Sequence, residues 1–123
     1  NESSWALNSA VRSLEEFRGS HARVNFIVTA DDDDARAFLG PLVDEFLVYC
    51  DPDRSVVRAL GLDELPAFVF IRVDREVVAT AQGWRPEDWL TVAEAIADTT
   101  KWNVPTVPAP GDPVPFAGSS ATG

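Results

Sequence analysis

Four consecutive carboxylates, Asp31, Asp32, Asp33 and Asp34, are the densest polar feature of the chain. Carboxylate oxygens are the ligands that Ca²⁺ or Mg²⁺ take. Consecutive side chains, however, point in different directions on a helix or a strand, and no glycine-containing loop of alternating acids follows. The same run suits a helix N-terminus, where each acid gains about 0.3–1 kcal/mol from the helix dipole and the free N–H groups. Capping and a solvated face are therefore expected, with no metal. The chain has one cysteine, Cys50, and one histidine, His21. One of each excludes a zinc site of the usual Cys/His type within one chain, and a lone thiol supplies neither an internal disulfide nor a dithiol. Cys50 ends an apolar run, as a small buried hydrophobe would. Asp51 and Asp53 beside it are expected to raise its pKa rather than activate it. His21 lies near Arg23 with no Ser-His-Asp pattern and reads as a surface residue.

These residues belong to a chain of 123 residues with net charge −10. The length fits one domain plus a tail. A polyanionic surface repels nucleic acid and anionic lipid, so neither is expected as a partner. No apolar run approaches the ~18 residues of a membrane span, no secretory leader is visible, and a cytoplasmic location is the expectation. The chain begins at Asn1 rather than Met, so an upstream segment is not excluded.

Hydrophobic periodicity gives the elements. Trp5, Leu7, Val11, Leu14 and Phe17 predict an amphipathic helix over 3–18, stopped at Gly19. Residues 24–28 predict a short buried strand. A second helix starts at the aspartates and runs to about Phe46, with a kink at Gly40-Pro41 because proline removes a backbone hydrogen bond. Residues 46–50 form the next strand. Asp51-Pro52 opens a short helix, with Asp51 as cap, Pro52 at the first helical position and Val56, Val57 and Leu60 buried. The run from Phe68 to Val73, a turn at Asp74-Arg75 and the run from Glu76 to Ala81 predict an antiparallel hairpin. Pro86 opens a last helix that buries Trp89, Val92, Ala93 and Ile96, while Trp5 and Trp102 read as packing residues at helix ends. Five of the nine prolines lie in the stretch 104–116. Residues 103–123 therefore read as an extended or disordered tail whose Pro-x-x-Pro could serve as a polyproline ligand; residues 1–102 form the domain. Strands joined through helices run parallel and the last pair antiparallel. The expected class is α/β, a four-stranded mixed sheet flanked by helices on both faces.

That order resembles the thioredoxin fold over roughly residues 24–98. Val24-Asn25-Phe26 resembles the family's Val-Asp-Phe strand, and Pro41 lies where the family kinks its second helix. Asp51 stands fifteen positions before Pro66, Leu60-Gly61-Leu62 precedes Leu65-Pro66, and Gly83 follows the last strand. The first strand of the full fold is missing. The resemblance implies a cis Leu65–Pro66 bond. It breaks where the redox chemistry sits. The two cysteine positions fall on Asp31 and Asp34, or on Asp33 and Arg36 when counted from Pro41, and the buried acid and lysine of the family fall on Asn25 and Leu47. Thiol–disulfide exchange needs an attacking and a resolving thiolate, so exchange by that mechanism is not expected.

The function this implies is a redox-inactive protein- or peptide-binding module without cofactor. Its groove would comprise Leu65, Pro66, Ala67, Gly83, Trp84 and the acidic lip Asp31, Asp32, Asp33 and Asp34, facing a protein or peptide that carries basic groups. Trp84 has two readings, an exposed aromatic anchor or a side chain packed on Trp89. The rival classes are an enzyme using Cys50 or an acid-bound metal, and a structural or self-association domain of a larger protein.

Overall fold

The computed structural model describes residues 2–121. A 3₁₀ turn, Glu2–Ala6, leads into α1 (Leu7–Phe17), followed by β1 (Asn25–Val28) and α2 (Asp32–Leu39). A second 3₁₀ turn, Gly40–Asp44, carries the kink expected at Gly40-Pro41, with Gly40 at φ +58°. Then come β2 (Leu47–Cys50), α3 (Ser55–Ala59), β3 (Glu64–Leu65), β4 (Ala67–Ile71), β5 (Val77–Gln82), α4 (Pro86–Thr100) and β6 (Ser119–Ser120).

The buried face of α1 is only in part the predicted one: Phe17 is buried and Leu14 packs against the core, but Leu7 and Val11 give way to serines. That face is lined by Ser9, Ser13 and Phe17, with Ala6 just before the helix, while Trp5 is exposed. Small residues allow close approach, and the two serine hydroxyls are bonded: Ser13 donates to the Ser9 carbonyl and Ser9 donates to Asp112. On α4 the reading held, with Trp89, Val92, Ala93 and Ile96 all buried. Trp89 and Trp84 meet edge to face at 5.1 Å. Burying one indole contributes on the order of 4–6 kcal/mol of gross transfer free energy.

β1 and β2 are parallel, with Asn25 opposite Leu47 and Val28 opposite Cys50. Neither is wholly buried. Both alternate exposed and half-buried residues, and Ile27, Leu47 and Tyr49 face solvent. β4 and β5 form the expected antiparallel hairpin, with the turn residue Arg75 at φ +72°. Alternation along β4 divides the core. Phe68 and Phe70 pack toward α4 and α1, whereas Ala67 and Val69 pack with Val57 of α3, Leu62 and Ala121. One face of the hairpin thus packs on α4 and α1, and the other meets Val57 of α3.

The four strands do not share one ladder. Among the described residues there are three two-stranded sheets, β1–β2, β4–β5 and β3–β6. A cavity of about 1290 Å³ lies between the first two, and every residue of 24–30 and of 65–73 lines it. In a strand successive side chains alternate faces, so a lining that includes every residue means that both strands turn a backbone edge toward this space.

The tail is extended, but it is laid against the body. Asp112 accepts from both guanidinium nitrogens of Arg12 at 2.7 and 2.8 Å, from the Ser9 hydroxyl at 2.6 Å and from the Ala109 N–H at 2.7 Å. Phe116 and Trp84 exchange two backbone hydrogen bonds at 2.9 Å, and Ser119–Ser120 pairs with Glu64–Leu65. Residues 1, 122 and 123 of the expected domain and tail lie outside the described residues.

Candidate functional site

The Leu65–Pro66 bond is cis, as the resemblance implied. Pro66 cannot donate, but its carbonyl accepts from the Gly83 N–H at 2.8 Å, which ties β3 and β4 to the end of β5. The Gln82 amide oxygen fixes the same corner by accepting from the Asp63 and Glu64 N–H groups. Leu65, Pro66, Ala67 and Gly83 are therefore brought together.

This edge is occupied by the chain itself. β6 runs antiparallel to β3, with Leu65 opposite Ser119 and Glu64 opposite Ser120, and the Ala121 N–H donates to the Asp63 carbonyl. Glu64 Oε2 accepts from the Gly118 N–H at 3.2 Å and from Arg85 Nη1 at 3.0 Å. The Arg85 bond, first, and the Gly118 bond hold the Glu64 carboxyl below its ordinary range. Arg85 also donates to the Gln82 carbonyl. Arg54 Nη1 donates to the carbonyls of Ser120 and Ala121 at 3.0 and 2.8 Å.

Two glycines meet where the tail crosses this corner. A Cβ on Gly83 would lie 2.8 Å from the Gly118 nitrogen and 3.0 Å from Glu64 Oε2, and a Cβ on Gly118 would run into the Leu65 carbonyl and lie 2.9 Å from Glu64 Cβ. Real Cβ atoms do not approach this closely, so the backbones pass only because both positions lack a side chain.

Trp84 is not an exposed anchor. It is fully buried, stacked edge-on with Trp89, and its Nε1 donates to the Pro113 carbonyl of the tail. An indole between a helix and a covering segment has no face left for a partner. The exposed aromatic here is Trp5, which meets Phe116 at 5.3 Å. Nothing in the sequence pairs residues 5 and 116.

The acidic run is a helix start. Asp31 caps α2, its side chain accepting from the Asp34 N–H at 3.0 Å, and all four aspartates are exposed. Only Asp34 shares the cavity wall with Leu65 and Pro66. No hydrogen bond or ion pair joins the run to the seated tail among the described residues. The acids that act on Cys50 come from this run and not from Asp51 and Asp53: the hydrogen bond to Asp32, with burial and the Asp32 and Asp31 charges, pushes the thiol up. That disfavours the thiolate a nucleophile needs.

No family model, curated protein or solved structure matches the chain. The site must therefore be read from its own chemistry.

Asp51 has a structural task. Its carboxylate is buried and accepts from the Ser55 hydroxyl and from the Val56 and Val57 N–H groups. Desolvation pushes its pKa up, but these bonds outweigh it and the net direction is down. It caps α3 from four positions before the helix. Pro52 lies in the preceding turn rather than at the first helical position, because Arg54, at φ +60°, delays the start to Ser55. His21 is exposed, as expected. Among the described residues no group of three His, Cys, Asp or Glu could hold a metal ion, and no helix is long and apolar enough to cross a membrane.

Chemically the corner offers backbone donors and acceptors at Asp63, Glu64, Leu65 and Trp84, the carboxylates of Asp63 and Glu64, and the guanidinium groups of Arg54 and Arg85. That set can hold an extended chain. Sequence reading missed Arg54, Glu64 and Arg85; their only signal was that each flanks a turn or strand end.

Proposed function

We propose that this chain is a redox-inactive, thioredoxin-like module that binds a protein or peptide partner through the edge at Leu65, Pro66 and Ala67. The observation that carries the reading is β6: an extended segment lies antiparallel on Glu64–Leu65, next to the cis Pro66. Addition of a strand to a sheet edge draws affinity from main-chain hydrogen bonds and specificity from the side chains around it. The raised Cys50 pKa favours binding over single-thiol catalysis. The test is a backbone-amide NMR titration with a panel of extended peptides. Shifts should concentrate at Asp63, Leu65, Ala67 and Gly83. Binding that moves only α2 or β2, or no binding by any peptide, would overturn the reading.

We also propose that β1 and β4 come together in one four-stranded mixed sheet. Their edges flank a single apolar cavity of about 1290 Å³. Left apart, the two edges present rows of unpaired backbone N–H and C=O groups. Pairing of β1 with β4 removes the space and satisfies both edges. Hydrogen exchange tests it: the amides of Ile27 and Val69, which point away from β2 and β5 respectively, should exchange at least ~100-fold more slowly than that of the exposed Val73. Equal rates would count against a joined sheet.

A further inference from the structure

We propose that the corner formed by Asp63, Glu64, Leu65 and Trp84 reads an extended segment of the pattern aromatic-x-Gly-x-x-Ala, supplied by a partner protein, and that residues 116–121 occupy this seat until displaced. The inference rests on the binding reading above and narrows it to a ligand class and a competition.

The pattern comes from what the seat does to each tail residue. Main-chain contacts are indifferent to sequence: Trp84 exchanges two bonds with Phe116, Glu64 accepts from Gly118, Asp63 accepts from Ala121, and Arg54 donates to the carbonyls of Ser120 and Ala121. Three positions are selected by shape. Phe116 packs edge-on against the ring of Trp5, which keeps most of its surface free to meet such a residue. Gly118 passes where a Cβ would strike the Leu65 backbone and Glu64 Cβ. Ala121 is wholly buried, its methyl packed with Val57 and Leu62. Among the described residues the intervening Ser119 and Ser120 show no side-chain hydrogen bond to the seat, so those positions tolerate other residues. The seat carries two acids, Asp63 and Glu64, against two arginines, Arg54 and Arg85, and the tail residues it holds carry no charge. An uncharged segment fits it better than the basic one anticipated from the acidic run.

The seated tail is a competitor in cis. A partner segment must displace it, so the apparent affinity falls with the fraction of molecules whose seat is free. Weakening the tail without touching the seat should expose the intrinsic affinity. Gly118→Val does this, since Gly118 belongs to the ligand and not to the seat.

The probe is a fluorescein-labelled peptide, Asp-Pro-Val-Pro-Phe-Ala-Gly-Ser-Ser-Ala, titrated by anisotropy against the full chain. Gly118→Val protein should bind it at least 10-fold more tightly than wild type. The same peptide with valine in place of its glycine should lose at least 10-fold, and one with its two serines replaced by threonine should change less than 3-fold. Circular dichroism shows whether the variant folds. Independently of any variant, excess peptide added to wild-type protein should shift the amides of Ser119 and Ala121 toward free-chain positions in NMR spectra. If the valine peptide binds as well as the original, the seat does not read glycine and the inference fails. If unrelated extended peptides move the Leu65 amide but this peptide does not, the inference fails while the binding reading stands. If no peptide moves that amide, both fail. A wild-type dimer abolished by Gly118→Val would replace the foreign partner by a second copy and overturn the proposed competition.

Discussion

Asp112→Asn will destabilise the protein by about 2 kcal/mol at neutral pH, or roughly 8 °C in Tm, and most of the loss will vanish in acid. Asp112 is the residue that fastens the tail to α1. Its side chain is only 7% exposed and forms a two-pronged pair with Arg12, supported by Ser9 and the Ala109 N–H. Every strong donor around it is matched to a charged carboxylate. An asparagine keeps the shape but removes the charge and turns an NH₂ toward Arg12 or Ala109. Hydrogen bonds to charged groups contribute about 1.5–3 kcal/mol. The lower end applies, because the Arg12 side chain is 33% exposed and water screens part of the pair.

The pH dependence follows from the same contacts. The Arg12 bond, opposed by desolvation and helped by Ser9 and Ala109, lowers the Asp112 pKa from 3.8 to about 2. A carboxylate whose folded pKa is depressed contributes stability above its unfolded pKa, and that contribution is lost as pH falls through the folded value. The window is therefore from about 3.8 down to about 2. Asp51, Glu64 and Asp74 are also shifted down and add to the acid limb of the wild type. The difference between wild type and Asp112→Asn isolates Asp112. Urea unfolding from pH 7 to pH 2.5 should show two curves that converge in acid. Curves that stay parallel throughout would show that Asp112 is not the anchor described.

How much was legible in the sequence depended on how local the cause was. Trp89, Val92, Ala93 and Ile96 recur at helical spacing after Pro86, so α4 could be read with its buried face. The hairpin was legible from two apolar runs around Asp74-Arg75, and the break at Gly40-Pro41 from proline's missing donor. The tail was not. Its composition is that of a disordered segment, and what holds it is a pair, Arg12 and Asp112, one hundred positions apart. The fate of Trp84 followed from that omission. Without a covering segment an indole after Gly83 reads either as an anchor or as a side chain packed on Trp89; with Pro113 and Phe116 across it, the packed reading is the one found. The aspartates were read correctly as a cap, because an N-cap and its partner lie three residues apart. β1 was read as buried because an apolar run does not reveal which face is covered, and here alternate residues face solvent.

Gly83→Ala will cost about 2–5 kcal/mol, more than the same change at Gly61 by about 1–3 kcal/mol. The two glycines share a backbone conformation, with φ +69° at Gly83 and φ +70° at Gly61. Both substitutions therefore incur the same left-handed penalty, about 1–2 kcal/mol. They differ in what the new methyl meets. Gly61 has nothing within 4 Å, whereas at Gly83 the Cβ would lie 2.6 Å from Arg85 Nη1, 2.8 Å from the Gly118 nitrogen and 3.0 Å from Glu64 Oε2. The guanidinium and carboxylate are side-chain ends that can swing aside, at the cost of the pair that holds Gly118. The Gly118 nitrogen is backbone and moves only if the tail lifts. The excess at Gly83 is thus a measure of tail docking, and it should shrink once the tail is already loose. A double-mutant cycle with Gly118→Val reads this directly: the costs of Gly83→Ala and Gly118→Val should be less than additive, with a coupling of about 1 kcal/mol or more. Strict additivity, or equal costs at Gly83 and Gly61, would mean that the tail does not press on Gly83 in solution and that the crossing of the two glycines is not what closes this corner.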